Sequence, residues 1–141
     1  LKRVSKNRII FGANYFNCFE KKGGAIIWVK NQPMPNFSKA VIASCSYHKK
    51  MEVVKKTWTN FVNNRKTNHP CEMPVELFMW ILRNYAEKGQ KILDTHLGSG
   101  SSAIACHYFG VGEFVGIEID KEYFKAAEKR IKDQTKQLTI F

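Results

Sequence analysis

Residues Ile92-Leu93-Asp94-Thr95-His96-Leu97-Gly98-Ser99-Gly100-Ser101-Ser102 constrain the fold of this chain more than any other stretch. A short apolar run enters a glycine–serine turn, and small residues follow that suit a close-packed helix. Further on, Phe114-Val115-Gly116-Ile117-Glu118-Ile119-Asp120 is a second apolar run, ending in acids. Strand, glycine turn, helix, strand, acid is the order in which a parallel sheet holds a nucleotide-like ligand at its carboxyl edge. The glycines let backbone approach the ligand, and the distal acid can accept hydrogen bonds from two ribose hydroxyls. This pattern predicts an α/β fold of the Rossmann-like kind, with helices on both faces of the sheet.

The turn also restricts the ligand. A dinucleotide fingerprint needs G-x-G-x-x-G, and only Gly98 and Gly100 are present. A phosphate-cradling loop needs a lysine after its last glycine, and none is there. Asp94 at the strand end repels an anion and suits a ligand with a cationic end. S-adenosylmethionine carries an ammonium, a sulfonium and a ribose, so it is the expected cofactor, with Glu118 on the ribose. The alternative is a Rossmann-like turn with acids placed by chance.

The 141 residues suit one domain, and 44% hydrophobic content provides a core. Lys+Arg 23 against Asp+Glu 12 gives a net charge of +11. That balance favours a polyanionic partner, most simply nucleic acid; the alternative is a basic protein with solvated lysines. Cys18, Cys45, Cys71 and Cys106 are scattered, with no metal-ligand spacing. They read as reduced thiols of a cytoplasmic protein, and no metal is expected. No membrane span, signal peptide or repeat is read in the sequence. Leu1 stands where a complete chain has Met, so an N-terminally incomplete domain is expected over residues 1–141.

Strands are expected at Arg8–Gly12, Ala25–Lys30 and Ala40–Cys45. Lys49 to Asn68 is polar and basic, with Trp58 and Phe61 among its cations, and reads as an exposed loop. Pro74 is placed as the first residue of a helix that Val75–Ala86 continues and Gly89 stops, with Val75, Phe78, Leu82 and Tyr85 on one face. Further helices are expected over Ser102–Phe109 and from Lys121 to about Gln134. In the last, Phe124, Ala127 and Ile131 face inward, and Lys121, Lys125, Lys129 and Lys132 form an outer, solvated stripe.

Three segments together resemble the DNA amino-methyltransferases of prokaryotes and phages, which methylate N6 of adenine or N4 of cytosine. They are His69-Pro70-Cys71-Glu72-Met73-Pro74-Val75-Glu76-Leu77, then Ile92 to Ser102, then Gly116 to Tyr123. Their order, with the histidine–proline element before the glycine turn, is similar to the permuted β group. Arg8 to Phe16 and Ile26 to Lys30 resemble strands that follow the catalytic motif in that group.

The resemblance implies site residues one by one. Asp94, Thr95, Gly98 and Gly100 match the cofactor turn, with Asp94 near the methionine amino group. Glu118 matches the ribose acid, whose structural alternative is a helix cap. His69, Pro70 and Pro74 match the element beside the methionine moiety, and Asn14 falls near the pocket. The family's D-P-P-Y-type tetrapeptide, which holds the flipped base, does not occur here. It is expected upstream of Leu1, so the catalytic residues are not among these 141. The strand leading to it belongs between the Lys91 strand and the Arg8 strand, so a central strand is expected to be missing from the sheet. Met73 stands where the family often has Lys, Val29 where it often has Asp, and Thr95-His96 where many members have Pro-Phe.

Residues 49–68 are expected to face double-stranded DNA, with Lys55, Lys56, Arg65 and Lys66 on phosphates and Trp58 stacking or wedging. Gln137-Leu138-Thr139-Ile140-Phe141 resembles the pentapeptide by which bacterial replication proteins dock on the sliding clamp, through Gln137, Leu138, Ile140 and Phe141. A homodimer is a further expected assembly. The implied activity is methyl transfer from S-adenosylmethionine to a DNA base, at N6 of adenine. The alternatives are a non-catalytic methyltransferase-like module, and an RNA or small-molecule methyltransferase.

Overall fold

The structure is a computed structural model, and it describes residues 3–31, 38–56 and 72–136. The chain divides into two compact units, one within Leu1–Thr57 and one within Trp58–Phe141.

The first unit is a four-stranded mixed sheet. Its strands are β1 (Ile9–Phe11), β2 (Gly24–Lys30), β3 (Ala40–Cys45) and β4 (Met51–Lys56), in the order β1-β3-β2-β4. β2 runs antiparallel to β3, with Ile27 opposite Ile42, and parallel to β4, with Trp28 opposite Val54. Ile26, Trp28, Ala43, Cys45 and Val54 are buried. The indole N–H of Trp28 donates to the Lys56 carbonyl at 2.9 Å, which satisfies the one polar atom of that buried ring. Arg8 clasps Glu20 through Nε and NH2, at 2.9 and 2.7 Å, and ties the start of β1 to the segment before β2.

The expected loop over 49–68 begins instead with β4. Met51, Val53 and Lys55 alternate with Glu52, Val54 and Lys56, a period of two. Its charges hide this pattern in the sequence, and pairing to β2 reveals it. Residues 57–68 lie outside the described residues.

The second unit has helices α1 (Val75–Tyr85), α2 (Ser101–Phe109) and α3 (Lys121–Thr135). Strands β5 (Lys91–Asp94) and β6 (Glu113–Gly116) pair in parallel, with Asp94 opposite Gly116. α2 is the crossover between them, and its Ala103, Ile104, Ala105 and Cys106 are buried. Small residues let it pack closely. Leu82 of α1 meets Ala105 and Cys106, with Ile92, Phe78 and Phe114 against them. Leu97, Ala103 and Ala127 form a second cluster that shares Phe114. Leu93 and Val115 point to the opposite face and are 40% and 45% exposed. Among the described strands, β5 pairs only with β6.

Three local expectations are corrected. α1 ends at Tyr85 with Ala86 as its cap, because Ala86 turns extended, and Gly89 lies in the following turn. Phe124 is 43% exposed rather than inward, so the inner face of α3 rests on Ala127 and Ile131. Pro74 is the N-cap of α1, not its first residue, and is fully buried. Among the described residues, no helix is long and apolar enough to cross a membrane.

Candidate functional site

β5 and β6 end side by side because they are parallel and in register, and the segments leaving them continue the pairing. The Ile117 amide donates to the Asp94 carbonyl at 2.8 Å, and the Leu97 amide donates to the Ile117 carbonyl at 2.9 Å. The Gly98 amide then donates to Glu118 Oε2 at 2.8 Å. Gly116 permits this closeness, since a Cβ there would lie 2.9 Å from Leu97 Cδ1.

The turn bends through Gly98 at φ +53° and Gly100 at φ +81°, the left-handed region that glycine enters without steric cost. Gly100 is the N-cap of α2, which no side chain caps. The Gly100 amide closes the turn onto the Leu97 carbonyl at 3.0 Å.

Two carboxylates face this turn. Asp94 Oδ1 accepts the His96 amide at 3.0 Å, and Oδ2 accepts the Ser102 hydroxyl. Glu118 Oε1 accepts the Asp120 amide at 3.1 Å, while Oε2 holds Gly98. Both acids are thus oriented before any ligand arrives. A carboxylate offers about four acceptor directions, so these bonds leave room for a ligand's donors. Beside Glu118 lies a groove of about 340 Å³ lined by Glu118, Lys121, Phe124 and Lys125. Below the turn, burial first and then the Asp94 charge push the Cys106 thiol up to about 12, so it stays neutral.

Asp94, Thr95, Gly98, Gly100 and Glu118 therefore come together at one sheet edge. The Thr95 hydroxyl lies 3.0 Å from His96 Nδ1. Glu118 is not the helix cap of the alternative reading: Asp120 caps α3, accepting the Glu122 and Tyr123 amides. Asn14 is exposed in the turn after β1, within the first unit. Lys55 is exposed at the end of β4, and Lys56 is half-buried. His69, Pro70, Trp58, Arg65, Lys66, Gln137, Leu138, Ile140 and Phe141 lie outside the described residues.

Sequence reasoning missed Ser102, Glu72 and Arg130. Arg130 NH1 donates to the Ser99 carbonyl and to Ser101 Oγ, each at 2.9 Å, and NH2 pairs with Glu72 at 3.1 Å. The placing of Arg130 just before inward-facing Ile131, at the edge of the buried face, was the available signal.

The family model described as DNA methylase, N6_N4_Mtase, matches residues 43–129. The chain belongs to this DNA methylase family. It is similar to the type II methyltransferase M2.DpnII of Streptococcus pneumoniae, 31% identical over 83 residues. That match spans 56% of this chain and 31% of that protein. It is 27% identical to the type II methyltransferase M.HpaI of Haemophilus parainfluenzae over 75 residues, covering 53% and 24%. The chain thus spans under a third of the length of these curated relatives. Among solved structures, the M1.HpyAVI–SAM complex matches with TM-score 0.59 and 27% identity, covering 76% of this methylase chain and 60% of that one. The PvuII cytosine-N4-specific DNA methyltransferase matches with TM-score 0.57 at 14% identity, covering 81% and 56%, and shares the fold.

Proposed function

We propose that this chain supplies the cofactor-holding part of a DNA amino-methyltransferase that takes S-adenosylmethionine as methyl donor and double-stranded DNA as acceptor. The observation that carries this reading is the pairing of Asp94 and Glu118 across a turn with two left-handed glycines. An acid at the end of one parallel strand and another just beyond its neighbour match a ligand with an ammonium at one end and a ribose diol toward the other. Asp94 takes the methionine ammonium, and Glu118 takes the ribose hydroxyls. The groove along Lys121, Phe124 and Lys125 receives the base of the cofactor, with Phe124 offering an aromatic edge. The bound S-adenosylmethionine would supply an activated methyl on sulfur. The protein's part is to orient that methyl toward the incoming amine. No D-P-P-Y-type group to receive the target base occurs in these 141 residues.

Within this reading the acceptor is N6 of adenine, the commoner activity in the group that the ordered motifs resemble. Lys55, at the exposed end of β4, supports a DNA-facing role for the segment that follows. Gln137 to Phe141 keeps its sequence-based reading as a clamp-docking peptide. Binding of purified sliding clamp that survives removal of Leu138 to Phe141 would end that reading.

The test is calorimetric binding of S-adenosylmethionine to the chain and to Asp94→Ala and Glu118→Ala. Micromolar binding lost in both variants is expected, and a folded chain that binds none overturns the proposal. Duplex DNA methylated by the full-length protein, then hydrolysed and analysed for N6-methyladenine against N4-methylcytosine, tests the acceptor. A second reading, a non-catalytic module, is favoured by Val29 and Met73, which put apolar side chains where the family often has Asp and Lys. Cofactor binding without methyl transfer by the full-length protein would select it.

A further inference from the structure

We infer that Arg130 and Glu72 form a positioning clamp that fixes the peptide between the two glycines of the turn. The inference rests on the proposed cofactor reading. The turn owes its shape to Gly98 at φ +53° and Gly100 at φ +81°. Glycine is the residue with the most backbone freedom to lose on ordering, so a segment with two of them needs external restraint. The Ser99 carbonyl lies between them, on the peptide that leads into Gly100. Arg130 donates to that carbonyl at 2.9 Å. The same nitrogen donates to Ser101 Oγ at 2.9 Å, which fixes the first residue of α2 as well.

The guanidinium is held in turn. Arg130 NH2 meets Glu72 Oε1 at 3.1 Å, and the Glu72 side chain is only 7% exposed. A buried carboxylate is retained where it is paired, and here its partner is the cation that grips the turn. Glu72 lies just before α1, and Arg130 lies on α3. Three separated parts of the second unit therefore converge on one peptide. A planar fork with several fixed donors can serve the carbonyl, hydroxyl and carboxylate together, and an ammonium on a flexible stem cannot hold the same geometry. The groove beside Glu118 is lined by Glu118, Lys121, Phe124 and Lys125, and by neither clamp residue. Their effect passes through the Ser99 carbonyl, so both are positioning residues.

The test compares the chain with Arg130→Lys and with the double variant Arg130→Gln/Glu72→Gln. Arg130→Lys keeps a cation for Glu72, and the double variant removes both charges, so neither strands a buried charge. Two readouts are taken. Amide hydrogen exchange is followed at Gly98 and Gly100, with Ala105 and Cys106 inside α2 as the internal reference. S-adenosylmethionine affinity is measured by calorimetry. The expected result is about tenfold faster exchange at the two glycines, unchanged exchange at Ala105 and Cys106, and about tenfold weaker binding. A folded variant with glycine exchange and affinity equal to the parent chain overturns the clamp. If one variant does not fold, the other decides. A parent chain that binds no S-adenosylmethionine while its variants still show faster glycine exchange overturns the cofactor reading and leaves the clamp standing. A parent chain that binds, with variants matching it in both readouts, overturns the clamp alone.

Discussion

Glu118 accepts the backbone amide of Gly98 at 2.8 Å, so the acid just beyond β6 holds the turn that leaves β5. One side chain therefore joins the two halves of the site. It organises the turn and, in the proposed reading, meets the ribose. Glu118→Ala should weaken S-adenosylmethionine binding by at least about tenfold, and Glu118→Gln by less, since an amide oxygen can still accept from Gly98. Calorimetry on the two variants checks the order. Equal losses would mean the Gly98 bond is not what Glu118 contributes.

Gly100 should not tolerate a side chain. Its φ is +81°, and a Cβ would sit 3.0 Å from two atoms of Ile131. Gly100→Ala is expected to cost about 1–3 kcal/mol in chemical denaturation. Adding Ile131→Val removes Cδ1 but keeps a Cγ atom, so it should recover only part of the steric share and leave the backbone share. Complete recovery would show that the left-handed backbone carries no cost.

Ser102 donates its hydroxyl to Asp94 and is 6% exposed. Ser102→Ala removes a hydrogen bond to a charged acceptor, worth about 1.5–3 kcal/mol. The expected outcome is lower stability in urea and weaker cofactor binding, because Asp94 is then held only through Oδ1 on the His96 amide among its described bonds. Unchanged affinity with lowered stability would confine Ser102 to a structural role.

Cys106 gives a pH dependence with a definite sign. Its thiol is pushed from the ordinary 9.0 up to about 12 by burial and then by Asp94. Between those values the unfolded chain has released a proton that the folded chain keeps, so unfolding is favoured increasingly as pH rises. The stability from keeping Cys106 neutral is complete below pH 9 and declines from there toward 12. Urea titrations from pH 8 to 11 should show a shallower fall for Cys106→Ala than for the parent chain, whatever the two absolute stabilities. Parallel slopes would refute the assignment. Cys18, half-buried, should alkylate well before Cys106 near neutral pH.

Arg8 and Glu20 test the first unit separately. Their pair is only 14% and 16% exposed. Glu20→Ala leaves a guanidinium partly buried without its acceptor, and a loss of about 1–3 kcal/mol is expected. Glu20→Gln should lose less. Thermal denaturation of both variants checks the order.

The ordered motifs made the turn, its two glycines and both acids legible from the sequence, because each feature is local. A positive φ selects glycine, an apolar run selects a strand, and an acid ending a strand lies at the sheet's carboxyl edge. Five of the residues named for the site, Asp94, Thr95, Gly98, Gly100 and Glu118, are brought together by those rules. The period of two in Met51–Lys56 was obscured by its charges, and only pairing with β2 made it a strand. Phe124 looked inward by helical spacing, yet Ala127 and Ile131 fill the space against α2 and leave it at the groove. Arg130 and Glu72 lie far apart in sequence, and no local pattern pairs them. Tertiary structure alone decided that α3 and the segment before α1 bring those two charges together, with Arg130 on the Ser99 carbonyl. An ion pair is specified by where whole helices pack, and a glycine turn by its own residues.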